Sequence, residues 1–160
     1  PEVLRNADYV TFGKFFRVCG VMAKDPRKRG FSIDHMAIPG KYGATWPGRL
    51  ADMVAAQAIV SVIEKNNLWE NGRNQANRMY LRLRELAIAK KGILRPRISG
   101  AYLGFDLATK ETRDTFVAKA RDLHHVLFLP AGETAIRWSP RLDATSEHVD
   151  HLFEVVDSIL

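Results

Sequence analysis

The chain has 160 residues, 46% of them hydrophobic and 26% charged, which is enough length and apolar material to bury a core and excludes both a disordered chain and a disulfide-held miniprotein. Its net charge of +6, from 24 Lys+Arg against 18 Asp+Glu, points to acidic partners such as phosphate, carboxylate or nucleic acid without choosing among them. The single Cys19 rules out an internal disulfide and fits a reducing compartment, so a cytoplasmic location is expected; no apolar run nears the roughly 20 residues of a membrane-spanning helix, and no membrane partner is expected.

Two short β-branched and apolar runs, 8–12 and 16–23, predict strands around a tight connection at Gly13-Lys14-Phe15. The stretch 24–43 has loop composition, with Pro26, Gly30, Pro39, Gly40 and Gly43 among Lys24, Arg27, Lys28, Arg29 and Lys41. After Trp46-Pro47-Gly48, the apolar residues Leu50, Met53, Val54, Ala58 and Val62 recur at helical spacing and predict a helix over 48–65, with Pro47 where a first turn tolerates it. A second helix is predicted over 68–90, with Ala76, Met79, Leu83 and Leu86 on one face, most of its arginines on the other, and Gly92 as the stop. The remainder reads as α+β: an alternating strand 101–107, a helix 110–123, a strand 125–129, a turn at Pro130-Ala131-Gly132 and a strand 135–138. The closing helix has apolar residues at 149, 152, 153, 156, 159 and 160, behind Thr145 or Ser146 as N-cap. Asn66 and Asn67 interrupt the apolar stripe of the helical middle, and a domain boundary is expected there, giving 1–66 and 67–160.

Several features have an ordinary structural explanation. His148 and His151 stand at i, i+3, but no cysteine or carboxylate cluster supplies the two further ligands a metal needs, so no metal is expected. The cationic loop lacks any helix-turn-helix, zinc-finger or RNA-recognition signature beside it, so it reads as a solvated surface and no specific nucleic acid is expected. Cys19, in an apolar strand without a His or CxxC partner, reads as a buried, inert thiol. Gly-rich phosphate-cradling patterns are absent.

Lys14 stands out. Gly13 lets the backbone turn sharply, and Thr11-Phe12 and Phe15-Phe16 form an apolar collar that would desolvate an ammonium and lower its pKa, which is what an imine-forming lysine requires.

The wider sequence around it, Asp8-Tyr9-Val10-Thr11-Phe12-Gly13-Lys14 followed by Arg17-Val18-Cys19-Gly20-Val21-Met22-Ala23, resembles the cofactor-lysine segment of the class III (4-aminobutyrate aminotransferase-like) pyridoxal-phosphate aminotransferases. Two more blocks resemble the same family in the same order: Ala44-Thr45-Trp46-Pro47-Gly48, and Leu129-Pro130-Ala131-Gly132 leading to Ile136-Arg137-Trp138-Ser139-Pro140. The Val-Cys-Gly-Val-Met-Ala run, the Leu-Ala-Asp-Met-Val helix start and the Leu-Pro-Ala-Gly turn are similar to the branch that acts on the 6-amino group of L-lysine. The resemblance implies an α/β protein corresponding to the C-terminal portion of fold type I (aspartate aminotransferase-like): the end of the large α/β domain and the start of the connecting helix in 1–66, and the small α+β domain in 67–160.

It further implies that Lys14 forms the Schiff base with pyridoxal 5'-phosphate and shuttles the proton, and that the Thr45 hydroxyl reaches the phosphate of the cofactor held by the other subunit of a homodimer. Arg137 would grip a substrate carboxylate through its guanidinium fork. The implied reaction moves the terminal amino group of L-lysine or a similar ω-amino acid to 2-oxoglutarate. The alternatives are an ornithine, 4-aminobutyrate or diaminobutyrate aminotransferase, or a catalytically inactive remnant of the fold. The sequence departs from the family where Phe15 follows Lys14, where Trp138-Ser139-Pro140 follows Arg137, at Gly43 and at Pro47. In this family the ring-nitrogen aspartate, the stacking aromatic and the main phosphate loop precede the lysine. Little chain precedes Lys14 and the first residue is Pro1 rather than Met, so the expectation is a piece of a longer polypeptide that binds cofactor poorly alone.

Overall fold

The computed structural model describes residues 6–14, 17–24, 38, 49–89 and 92–160, and the chain divides into two units, Pro1–Asn66 and Asn67–Leu160.

In the first unit, strands β1 (Tyr9–Phe12) and β2 (Gly20–Ala23) pair antiparallel with Phe12 opposite Gly20. The pair is closed at its open end by Lys24 N–H donating to the Asp8 carbonyl at 3.0 Å. The connection is longer than the expected three-residue bend, and β2 begins at residue 20 rather than 16. Lys14 (φ 52°) and Arg17 (φ 64°) both take left-handed backbone, which is incompatible with extended strand at either residue. Cys19 falls in this irregular stretch and is exposed, which corrects the expectation of a buried thiol. Helix α1 (Leu50–Lys65) ends on Asn66, whose Nδ2 donates to the Val62 carbonyl at 2.9 Å. The expected helix start at 48 lies outside the described residues. Apolar side chains occur all round α1 rather than on one stripe: Leu50, Met53, Val54, Val60 and Val62 are exposed and Ile63 is buried.

The second unit is a four-stranded antiparallel sheet of order β3-β4-β6-β5, formed by Leu94–Ser99, Tyr102–Asp106, Leu129–Ala131 (β5) and Ala135–Trp138 (β6). Helices α2 (Leu68–Ala89), α3 (Lys110–His124) and α4 (Ser146–Ile159) supply the rest of its core. Strand alternation sends Ile98, Leu103, Phe105, Ile136 and Trp138 to the helices. Phe105, Phe116, Phe128 and Trp138 close a ring of aromatic contacts with centroids 5.2 to 5.9 Å apart, three of the four contacts edge-to-face. The Trp138 indole N–H is satisfied by Met79 Sδ at 3.4 Å.

Two expectations are corrected here. Strand β3 was not anticipated. The run expected as a strand over 125–129 instead begins with His125 as the left-handed cap of α3 (φ 56°), with Val126 N–H donating to the Ala120 carbonyl at 2.9 Å. Its pairing starts at Leu129 and runs through Pro130, which an edge strand tolerates. Helix α4 starts on Thr145, whose Oγ1 accepts from His148 N–H at 3.3 Å while its own N–H donates to His148 Nδ1 at 3.1 Å, a capping box with histidine in place of glutamate. Among the described residues no helix is long and apolar enough to cross a membrane.

Candidate active site

Lys14 occupies the connection after β1, and its conformation is dictated locally. A Cβ at Gly13 would lie 2.8 Å from Cys19 Sγ, so the chain passes itself closely there. The next residue swings into left-handed backbone, and Arg17 N–H donates to the Lys14 carbonyl at 2.9 Å. Left-handed backbone costs a residue with a Cβ roughly 1–2 kcal/mol, and such strain is concentrated where function requires it. The lysine side chain is exposed and, among the described residues, in no ion pair. The desolvating collar expected from its neighbours is not formed by Phe12, whose ring instead packs on Gly20: a Cβ there would lie 2.5 Å from Phe12 Cζ. Phe15, Phe16 and Thr45 lie outside the described residues.

Arg137 belongs to the second unit. In β6 it pairs with Gly104 on one side and Leu129 on the other, on the sheet face opposite the aromatic core. It is exposed and, among the described residues, makes no ion pair. The structure brings it together with side chains that sequence reasoning missed. Arg97 stands in the same cross-strand row, one strand beyond Gly104, and Asp106 is buried at the same face with 6% of its side chain exposed. Asp106 accepts from Arg97 Nη1 at 2.5 Å and from Thr134 Oγ1 at 3.3 Å, and pairs with Arg95 Nε at 3.1 Å. Burial pushes its pKa up, but the Arg97 hydrogen bond and the charges of Arg97 and Arg95 outweigh burial and hold the carboxyl below its ordinary value. The clue available in the sequence was the Arg95-Pro96-Arg97 triplet facing Asp106 nine residues on, a pairing that needs the β3–β4 register to be known.

The histidines are structurally occupied. His148 caps α4, His125 caps α3, His151 lies 3.5 Å from Glu154, and His124 Nε2 lies 3.4 Å from Ser158 Oγ. Among the described residues no three His, Cys, Asp or Glu side chains gather as a metal site.

Comparison with known proteins places these features. The profile of the class-III aminotransferases matches residues 5–160. The L-lysine-epsilon aminotransferase of Mycobacterium tuberculosis is 35% identical over 159 residues, covering 96% of this chain and 34% of the relative. A solved structure of lysine aminotransferase from M. tuberculosis in the internal aldimine form superposes with a TM-score of 0.86 at 35% identity, covering 96% of this chain and 35% of that one. The 4-aminobutyrate aminotransferase of Schizosaccharomyces pombe is 28% identical over 156 residues, covering 96% of this chain and 31% of the relative. The chain spans about a third of the length of these relatives, and its mixed α/β architecture with antiparallel sheets is part of the aminotransferase fold. With nearly the whole sequence matched and identity sustained along it, the chain belongs to the class-III aminotransferase family.

Proposed function

We propose that this protein is a cytoplasmic transaminase that moves the terminal amino group of L-lysine, or of a similar ω-amino acid, to 2-oxoglutarate, working as a homodimer with pyridoxal 5'-phosphate as cofactor. The observation that carries the reading is Lys14: an exposed primary amine on strained backbone, in a chain whose family consists of pyridoxal-phosphate enzymes. The donor set fits such a cofactor. Lys14 offers an amine, outside any ion pair among the described residues, for an aldehyde, and Thr45 offers a short neutral hydroxyl for a phosphate oxygen across the dimer.

Bound there, pyridoxal phosphate supplies an electron sink for charge developing at the substrate carbon. Lys14 Nζ is the point of attachment and the base that takes up and returns a proton. A left-handed turn closed by the Arg17–Lys14 hydrogen bond fixes the root of this side chain, so fewer backbone conformers compete with the reactive one. Arg137 binds a substrate carboxylate as a planar fork with two parallel N–H donors, from a strand held on both sides by its neighbours.

Similarity to the S. pombe 4-aminobutyrate aminotransferase favours, as a second reading, a donor such as 4-aminobutyrate, ornithine or 2,4-diaminobutyrate. Assaying the full-length protein with these amines and L-lysine against 2-oxoglutarate separates the two. Fastest glutamate formation from L-lysine supports the first reading, faster formation from another amine the second, and no turnover with any contradicts both.

A further inference from the structure

We infer that Arg113 is a positioning residue for Arg137: it holds the β5–β6 turn, and the turn holds the strand from which Arg137 projects. The inference rests on the reading of Arg137 as a carboxylate-binding side chain and adds a residue that itself touches no substrate.

Arg113 stands near the start of α3 and is buried, with 5% of its side chain exposed. A buried guanidinium is costly unless its charge is met and its donors are used. Asp114 meets the charge, its Oδ1 accepting from Arg113 Nε at 2.6 Å. Nη1 serves the main chain instead, donating to the Gly132 carbonyl at 3.2 Å and to the Ala135 carbonyl at 3.3 Å. Strand β5 ends at Ala131 and β6 begins at Ala135, so one guanidinium nitrogen ties both ends of the turn to α3.

The end of β4 holds the same turn. Thr134 Oγ1 donates to Asp106 Oδ1 at 3.3 Å, and Leu107 N–H donates to the Thr134 carbonyl at 3.0 Å. These contacts matter because the β5–β6 ladder is weak by itself: β5 has three residues, and Pro130 at its centre has no N–H to give. The turn therefore carries much of the hairpin's register. Arg137 depends on that register. It lies two residues beyond Ala135, on the same face of the strand, opposite Gly104 and Leu129. A slip of one residue would send it to the aromatic core, and a smaller shift at the turn reaches it across about 7 Å of strand.

The test measures KM and kcat in the full-length protein for 2-oxoglutarate and for the amine it turns over fastest. Arg137→Gln identifies the substrate it binds as the one whose KM rises. Arg113→Gln is expected to raise that same KM about tenfold with kcat little changed, because a misplaced Arg137 weakens ground state and transition state alike. Arg113→Lys, which keeps one charged donor, is expected to recover part of the loss, and it carries the same readouts if Arg113→Gln does not fold. Hydrogen–deuterium exchange adds a readout that needs no turnover: the segment 129–138 is expected to exchange faster in the Arg113 variants, while 149–156 in α4 keeps its rate. A residue that only stabilised the fold would speed exchange in both segments and lower kcat with KM unchanged. That pattern, a KM untouched where Arg137→Gln raises it, or unaltered exchange over 129–138 overturns the inference. Failure of the reading beneath it looks different: Arg137→Gln then leaves both KM values unchanged, or turnover is absent altogether, and the inference falls with the reading.

Discussion

The two units solve opposite problems. In the second, apolar side chains from four strands and three helices interdigitate around a closed aromatic ring, and Phe105, Leu83, Val149 and Ile136 lose all contact with solvent. In the first, Ile63 is the one buried residue among those described, while Leu50 is 77% and Val54 59% exposed on α1. Left-handed non-glycine backbone occurs in both units, at Lys14 and Arg17 in the first and at Asn67, Arg95 and His125 in the second, but in the first it falls on the short connection that carries Lys14. A tightly packed sheet is suited to holding arginines at fixed spacing, since a close-packed core resists displacement. A short hairpin with a strained bend is suited to presenting one reactive amine. On the proposed function, carboxylate recognition by Arg137 would belong to the close-packed unit and the reactive amine of Lys14 to the hairpin.

The largest effect that would break this division is catalytic. Lys14→Ala in the full-length protein should lower turnover by more than about 100-fold while leaving the circular dichroism spectrum and melting temperature unchanged, because the side chain is exposed; retained transamination contradicts the assignment. Next comes the core: Phe105→Ala should cost about 3–5 kcal/mol, read from urea unfolding of the aromatic ring's tryptophan signal, whereas Phe12→Ala on the half-buried hairpin should cost less. A reversal of that order would mean the packing contrast is wrong. Gly20→Ala forces a methyl into the Phe12 ring and should cost about 1–3 kcal/mol as overpacking, a measure of how much order the hairpin has to lose. The Thr145 cap is a smaller quantity: Thr145→Ala should cost about 1 kcal/mol of stability, measured by thermal melting.

The acid response of the second unit sharpens the same contrast. The folded-state pKa of Asp106 is depressed below its ordinary 3.8 by Arg97 and Arg95, so its stabilising contribution is fully present above about pH 4 and is lost as pH falls through the folded-state value. Stability measured against pH should therefore drop more steeply at the acid end in the natural protein than in Asp106→Asn; parallel curves would show that the clasp contributes nothing.

Local signals made the helices legible. The stripe of Ala76, Met79 and Leu83 repeats often enough to bring the expected span of α2 within a residue of the observed Leu68–Ala89. Strand β3 escaped because Arg95, Pro96 and Arg97 interrupt its apolar positions and a register shift between Leu94 and Arg97 breaks the alternation. The apolar run after His124 read as a strand, since a left-handed cap at a histidine leaves no mark in hydropathy. Lys14 and Arg137 could be picked out because each sits in a contiguous motif. Arg97, Gly104 and Asp106 could not, because they become neighbours only when strands pair, and pairing register is a long-range property.

Where the amine of Lys14 engages the cofactor is the central claim, and covalent trapping tests it most directly. The full-length protein, incubated with pyridoxal phosphate, reduced with borohydride and mapped by peptide mass spectrometry, should carry a single stoichiometric adduct on Lys14 that disappears in Lys14→Ala. A stoichiometric adduct on any other lysine, or one that persists in that variant, would contradict it.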